Sequence, residues 1–222
     1  MQRKIVEPGI RAPNCESLKQ MIDMAFHFRY TTIFVDHGLI RCVEETESND
    51  QVDILFRIDV DVGSPGEIKK AVRGAYSLKR KVISRGFRAL LSLKPTNLQA
   101  LRATPHLHGF EMVRITPQVS RYMDRSQARL LASRNDVTID IPLPPFMSNR
   151  RSFHQLYVTL KKMYAYDVPF VLSSDARVPG KLWSPRMKVG LMLLMDVPKE
   201  LALVPVYSYP HRLLQNLRSN ST

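Results

Sequence analysis

From Val168 to Leu172 the chain reads V-P-F-V-L, apolar at every position, and it turns polar at once with Ser173, Ser174 and Asp175. A run of that kind suits a strand covered on both faces, as in a parallel sheet flanked by helices. A loop with Arg177, Gly180, Lys181 and Trp183 follows. Ser184-Pro185 then offers an N-cap and a first-turn proline for a helix reaching to about Met195. Strand, polar loop and capped helix make a βα unit, and the loop after such a strand is where α/β folds gather their binding groups.

The same unit recurs along the chain. Strand-like runs lie at Lys4–Glu7, Tyr30–Val35, Val52–Val62, Phe87–Leu93, Phe110–Ile115, Val137–Ile141, Val168–Leu172 and Leu201–Val206. The first is expected to close at Pro8-Gly9. Most are followed by a helical stripe or a spacer of helix length. Leu18, Met21, Ile22, Ala25 and Phe26 form one stripe, with Asn14 or Ser17 as its cap. Ile68, Ala71, Val72, Ala75 and Tyr76 form another, in a helix from Ser64-Pro65 to about Lys81. Further helices are expected at Leu98–Ala103 (capped by Thr96), at Val119–Arg134, after Ser148 or Asn149, and at Tyr209–Leu217. Eight such units predict an α/β fold closed as a (β/α)8 TIM-like barrel, one domain over residues 1–222 with a short polar tail at 219–222. Glu44–Asp50 reads as an exposed acidic loop.

Within Val52–Val62 the even positions are all apolar, while the odd ones include Arg57, Asp59 and Asp61. A polar face is unusual inside a parallel sheet. Either this strand is poorly covered, or its charges point into the barrel and pair.

Lys and Arg number 33 against 20 acidic residues, a formal net charge of +13. That excess favours a polyanionic partner over a small neutral substrate. The helix after Ser64 is the most basic stretch, with Lys69, Lys70, Arg73, Lys79, Arg80 and Lys81, and a solvated outer face is the expected role for at least half of these charges. The two cysteines, Cys15 and Cys42, lack C-x-x-C spacing, and the N-terminus has no apolar signal core, so a reducing, intracellular compartment is expected. Val189–Met195 is too short to cross a bilayer, and no membrane partner is expected.

Three segments together point to a family. I-D-I-P-L-P-P-F (139–146), V-P-F-V-L-S-S-D-A with L-W-S-P-R (168–176, 182–186) and V-Y-S-Y-P-H-R-L-L-Q-N (206–216), in this order and spacing, resemble the archaeal and eukaryotic ribonuclease P protein component 3 family. The earlier F-R-A-L-L-S-L-K-P-T-N-L-Q-A-L is compatible with it. The resemblance implies an irregular barrel related to the metal-dependent PHP phosphoesterases. It implies a subunit of the ribonucleoprotein that removes the 5′ leader of precursor tRNA, with the chemistry done by the RNA and its magnesium. The partners it implies are the ribonuclease P RNA, precursor tRNA within the particle, a small ferredoxin-like protein subunit and the other ribonuclease P proteins. The implied location is cytoplasmic, or nuclear in a eukaryote.

The competing reading, from the fold relatives, is a PHP-like metal-dependent phosphoesterase. Such a centre needs several His and carboxylates converging where strands end. Asp36, His37, Asp140 and Asp175 are the candidates, with one histidine among them; His106 and His108 precede a strand, and His154 and His211 lie in helices. The first strand, K-I-V-E-P-G-I, lacks the D-x-H-x-H that PHP enzymes carry there. No metal site, protein-bound cofactor or catalytic residue is therefore expected, and Ser173-Ser174 reads as loop capping rather than a nucleophile. Lys94, Arg114, Arg177, Lys181 and Arg186 fall at or just after strands, on the rim formed by the strand C-termini, and are the expected RNA-binding residues. Trp183 in the same loop can stack on a base or pack under the loop.

Overall fold

The computed structural model describes residues 4–45 and 52–219. In chain order the elements are β1 (Val6–Ile10), α1 (Cys15–His27), β2 (Thr32–Asp36), α2 (Ile40–Glu45), β3 (Asp53–Val62), α3 (Pro65–Ile83) and β4 (Ala89–Pro95). There follow α4 (Leu98–Ala103), β5 (Met112–Arg114), α5 (Pro117–Ser120), α6 (Arg125–Ala132), β6 (Thr138–Pro142), α7 (Leu143–Phe146) and α8 (Arg150–Ala165). The chain ends with β7 (Phe170–Ser173), α9 (Pro185–Leu194), α10 (Lys199–Leu203) and α11 (Tyr209–Ser219). The strands form one 7-stranded sheet in sequence order, every neighbouring pair parallel. The fold is the expected TIM-like α/β barrel, nearly closed.

The eighth strand expected at Leu201–Val206 is a correction. Its residues continue α10 into a π-helical turn, Val204–Ser208, that leads into α11. A short apolar run serves a buried helix as well as a strand. Pro205 has no N–H for a ladder but is tolerated in the first turn of a helical segment. Closure is made instead by β1 against β7. Ile10 and Ala176 form a parallel bridge, and the Arg11 N–H donates to the Ala176 carbonyl at 2.8 Å.

That closure explains a second correction. β1 does not stop at Pro8-Gly9 but runs through them, with a register shift against β2 between Glu7 and Ile10. A β-bulge is one of the few places a strand accepts proline. A Cβ on Gly9 would lie 3.3 Å from the Cβ of Ser173, so the bare α-carbon lets the first and last strands approach.

Several helices begin where short polar side chains can take an orphan N–H. Asn14, Asn149 and Ser184 accept from Ser17, Ser152 and Met187, at 2.8, 2.9 and 3.2 Å. Asn97, rather than Thr96, caps α4. The helix expected over Val119–Arg134 is split into α5 and α6, and Asp124 restarts it by accepting from the Gln127 N–H. Of the expected acidic loop, Glu44 and Glu45 end α2 and residues 46–50 lie outside the described region, as do residues 220–222 of the expected tail.

Cys15 at the start of α1 and Cys42 in α2 form a disulfide. The two helices bring the α-carbons to 4.9 Å, a proximity that a separation of 27 residues did not announce. The support that cysteine spacing lent to a reducing compartment is thereby withdrawn. Among the described residues no helix is long and apolar enough to cross a membrane.

Two cores follow from the strand alternation. Outward-facing residues such as Ile33, Val35, Phe56, Ile58, Leu91 and Val113 pack under the helices; Phe26 and Tyr76, expected on the apolar stripes of α1 and α3, lie at the edges of those stripes and are exposed. Inward-facing Val6, Phe34, Leu55, Leu90, Met112 and Val171 make one apolar layer inside the barrel, and Leu213, Leu214 and Leu217 of α11 pack against it. The Arg212 guanidinium donates to the Asn135 carbonyl at 3.0 Å, fixing α11 beside the loop that enters β6. The floor of the barrel is therefore sealed by the last helix.

Candidate nucleic-acid interface

Two residues further along the strands, the inward positions change from mostly apolar to polar and ionic. Leu55 is followed by Arg57 and Asp59, Leu90 by Ser92, Met112 by Arg114, Thr138 by Asp140, and Val171 by Ser173 and Asp175. Arg57 and Asp59 of β3 therefore point inward and pair, while Asp61, further along, is exposed at the rim beside Lys94, which resolves the alternatives left by its alternation. Arg57 is 3% exposed and contacts Asp140 at 2.7 Å and Asp59 at 2.8 Å. It also donates to the Pro8 carbonyl at 3.0 Å and the Ser92 hydroxyl at 2.9 Å. Arg114 pairs with Asp175 and lies 3.6 Å from Asp140. Arg11, just past β1, pairs with Asp59 and Asp175 and lies 3.7 Å from Asp36.

This arrangement alternates in sign, and it holds the Asp59 and Asp175 carboxyls ionised. Burial alone would raise the Asp59 carboxyl, but Arg57, Arg11 and Arg114 outweigh it and hold the group far below the usual carboxylate range. Burial likewise opposes ionisation of Asp175, and Arg114 and Arg11 reverse that effect. Asp175 has a φ of +45°, a left-handed backbone rare outside glycine, with both guanidiniums clasping its side chain.

A second buried pair anchors the loop after β7. The Glu7 carboxylate accepts from the Lys188 ammonium and the Ser174 hydroxyl, both at 2.7 Å, and from the N–H groups of Ser174 and Gly9, at 2.8 and 3.1 Å. The Ser174 hydroxyl accepts from the Trp183 N–H at 3.0 Å, and the Tyr30 hydroxyl donates to the Trp183 carbonyl at 2.6 Å. Ser174 is thus a structural clip between β1 and the loop. Trp183 is half-buried against the core.

A PHP-type metal centre would sit at this mouth. Its carboxylates are here engaged by guanidiniums, and among the described residues the one carboxylate within reach of His37 is Asp36, at 3.6 Å. Among the described residues no group of three or more His, Cys, Asp or Glu is placed to hold a metal ion. The residues present do not fit such a centre.

The five expected RNA-binding residues separate into three situations. Arg177, Lys181 and Arg186 are exposed on the loop after β7 and the start of α9. Lys94 reaches the rim but pairs with Asp61 at 2.8 Å. Arg114 is 4% exposed and belongs to the interior lattice. Sequence reasoning passed over Arg150 and Arg151, both exposed in the first turn of α8, on the same rim. A signal for them existed. Cations in a first helical turn oppose the helix dipole, and neither α8 nor α9 has an acidic residue in its first turn to offset them.

Comparison with known proteins places the chain among relatives. No family model matches it. It is 30% identical over 124 residues, 54% of its length, to Ribonuclease P protein component 3 of Aeropyrum pernix, and the match spans 58% of that relative. The chain thus matches a little over half the length of this curated relative. A chain in the cryo-EM structure of archaeal ribonuclease P with mature tRNA superposes with a TM-score of 0.71 at 14% identity, covering 96% of this chain and 91% of that one. A Xaa-Pro dipeptidase crystallised with methionine in its active site gives a TM-score of 0.62 at 10% identity, over 97% and 76%. At these identities the two structures speak for the fold alone. The resemblance to ribonuclease P protein component 3 drawn from the three motifs is borne out, by homology over about half the chain and by the shared barrel.

Proposed function

We propose that this chain, a homologue of ribonuclease P protein component 3, is a protein subunit of ribonuclease P that binds the catalytic RNA and a small ferredoxin-like partner subunit. In this reading the RNA and its magnesium cut the 5′ leader from precursor tRNA, and the protein supports the fold of the RNA. Arg177, Lys181 and Arg186, joined by Arg150 and Arg151, are the RNA-facing set, Lys94 is a peripheral member, and Arg114 acts by holding Asp175. Arginines pair with phosphate in bidentate fashion and lysine adds a point charge. Recognition of this kind follows backbone and shape, and it weakens steeply with salt.

The observation that carries the reading is the contrast between the mouth and its margin. Inside, guanidiniums and carboxylates neutralise one another; around them stand exposed cations, including arginines in the first turns of α8 and α9 where a helix prefers anions. Phosphate is the ligand that would relieve that unfavourable placement.

Reconstitution tests it. Precursor tRNA cleavage by the cognate RNA is measured over several magnesium concentrations, with the partner protein, with and without this chain. Stimulation by the chain, reduced in R177Q/K181Q/R186Q, is expected. No stimulation, or cleavage by the polypeptide alone, would overturn the proposal.

A further inference from the structure

Helix α3 bears an open groove on the outer wall of the barrel, lined in part by Arg73, Ser77, Arg80 and Lys81. Its cations differ from their neighbours. Lys79 is held by Glu111, Arg85 by Glu44 and Arg88 by Asp53. Lys69, Lys70, Arg73, Arg80 and Lys81 are all exposed, and none makes an ion pair among the described residues.

Two bland accounts of this charge fall short. The helix dipole favours cations near a C-terminus, which covers Arg80 and Lys81, but the effect fades within the last turn and does not reach Arg73, Lys70 or Lys69. A merely solvated face has no reason to set like charges beside each other. Lys69 and Arg73 are spaced i,i+4, and Lys70 and Arg73 i,i+3, both unfavourable on an isolated helix.

A third feature lies among these residues. Gly74 is exposed in the interior of α3, where glycine weakens a helix, and a Cβ there would meet nothing within 4 Å. No packing inside the protein requires it. It shares its face with Lys70, Ser77 and Lys81, at i−4, i+3 and i+7, so a strip of bare helix backbone is bordered by cations and a hydroxyl. Bare backbone of this sort admits close approach by the backbone of a ligand.

We propose that the α3 groove is a second RNA site, separate from the mouth, that grips sugar–phosphate backbone without reading bases. Arg73 and Arg80 stand roughly 10 Å apart along the axis and serve successive stretches of one strand. Lys70 and Lys81 flank the Gly74 strip, and Ser77 supplies a neutral donor. The proposal rests on the RNA-binding reading above and extends it: the protein would hold folded RNA at two places, its mouth ring and its wall.

The test measures binding of the full chain to an unmodified tRNA transcript at several salt concentrations. The wild type is compared with R73Q/R80Q/K81Q, with Gly74→Leu and with the mouth variant R177Q/K181Q/R186Q. Vesicles of phosphatidylcholine and phosphatidylserine form a parallel arm. R73Q/R80Q/K81Q is expected to lower the salt slope by about two to three, from three lost phosphate contacts, and to shift the melting temperature by no more than a few degrees, the loss of Arg80 and Lys81 at the helix C-terminus being offset by the relief of like-charge repulsion. Gly74→Leu is expected to weaken binding several-fold without lowering the melting temperature. Losses in the wall and mouth variants should add when combined, because the sites do not touch. Wild-type affinity and slope in both α3 variants, while the mouth variant fails, would overturn the wall site and leave the mouth reading standing. Vesicle binding without RNA binding would overturn both, as would absence of RNA binding by the wild type.

Discussion

The guanidinium of Arg57 lies 2.7 Å from the carboxylate of Asp140, and both side chains are almost wholly buried. β3 and β6 are not neighbours in the sheet, so this contact crosses the interior of the barrel. It is the centre of an ionic layer seated on an apolar one. Removing one partner from such a layer leaves an uncompensated buried charge, whereas exchanging the whole layer for apolar residues can cost little.

Arg57→Met is therefore expected to destabilise the protein by about 3–5 kcal/mol, read as a lowered urea midpoint. Arg57→Lys should recover only a small part. A single ammonium cannot serve Asp140, Asp59, Ser92 and the Pro8 carbonyl at once. Full recovery by lysine would show that net charge matters there and the fork does not.

The Glu7–Lys188 pair predicts an asymmetry. Lys188→Met leaves Glu7 with the Ser174 hydroxyl and the N–H groups of Ser174 and Gly9. Glu7→Leu strands a buried ammonium that keeps the face of the Tyr30 ring, 5.3 Å away, but loses its carboxylate. The second substitution should cost about 3–5 kcal/mol and the first distinctly less. Chemical denaturation of both variants and of the double variant checks the order, and equal losses would contradict it.

Stability should depend on pH through Asp59 and Asp175. Both carboxyls titrate below their unfolded value because guanidiniums outweigh the effect of burial. Their contribution is fully present above the unfolded pKa of about 3.9 and is lost as pH falls through the folded value. Urea midpoints are expected to drop progressively below about pH 4. The drop should be shallower in D59N/D175N, which starts from lower stability at neutral pH. An acid slope identical in the two proteins would assign it to other carboxylates.

The disulfide closes a loop of 27 residues. Reduction, or C15S/C42S, is expected to lower stability by about 3 kcal/mol through the freer unfolded chain. Thermal melts with and without reductant measure this, and a thiol assay on the unfolded, unreduced protein should find no free cysteine. Free thiols there would refute the pairing.

Much of the barrel is local in origin, and local features were legible. The capped start of α9 at Ser184-Pro185, the apolar stripe of α1 and the succession of strands each follow from a few adjacent residues. The failures have a common cause. Leu201–Val206 became helix because closure fell to β1 and β7, a long-range event that no window of residues records. Cys15 met Cys42 for the same reason.

By itself, the order of amino acids determined the alternation of elements, the positive excess and the inward turn of charges on one strand as one of two alternatives, because periodicity and composition are properties of the chain. Only the tertiary structure decided which cations are spent inside and which remain outside. Arg114 and Arg177 look alike in the sequence, and one is buried against Asp175 while the other is exposed on the loop. Pairing depends on a partner brought close by folding, since Coulomb attraction acts over ångströms of space and is indifferent to distance along the chain.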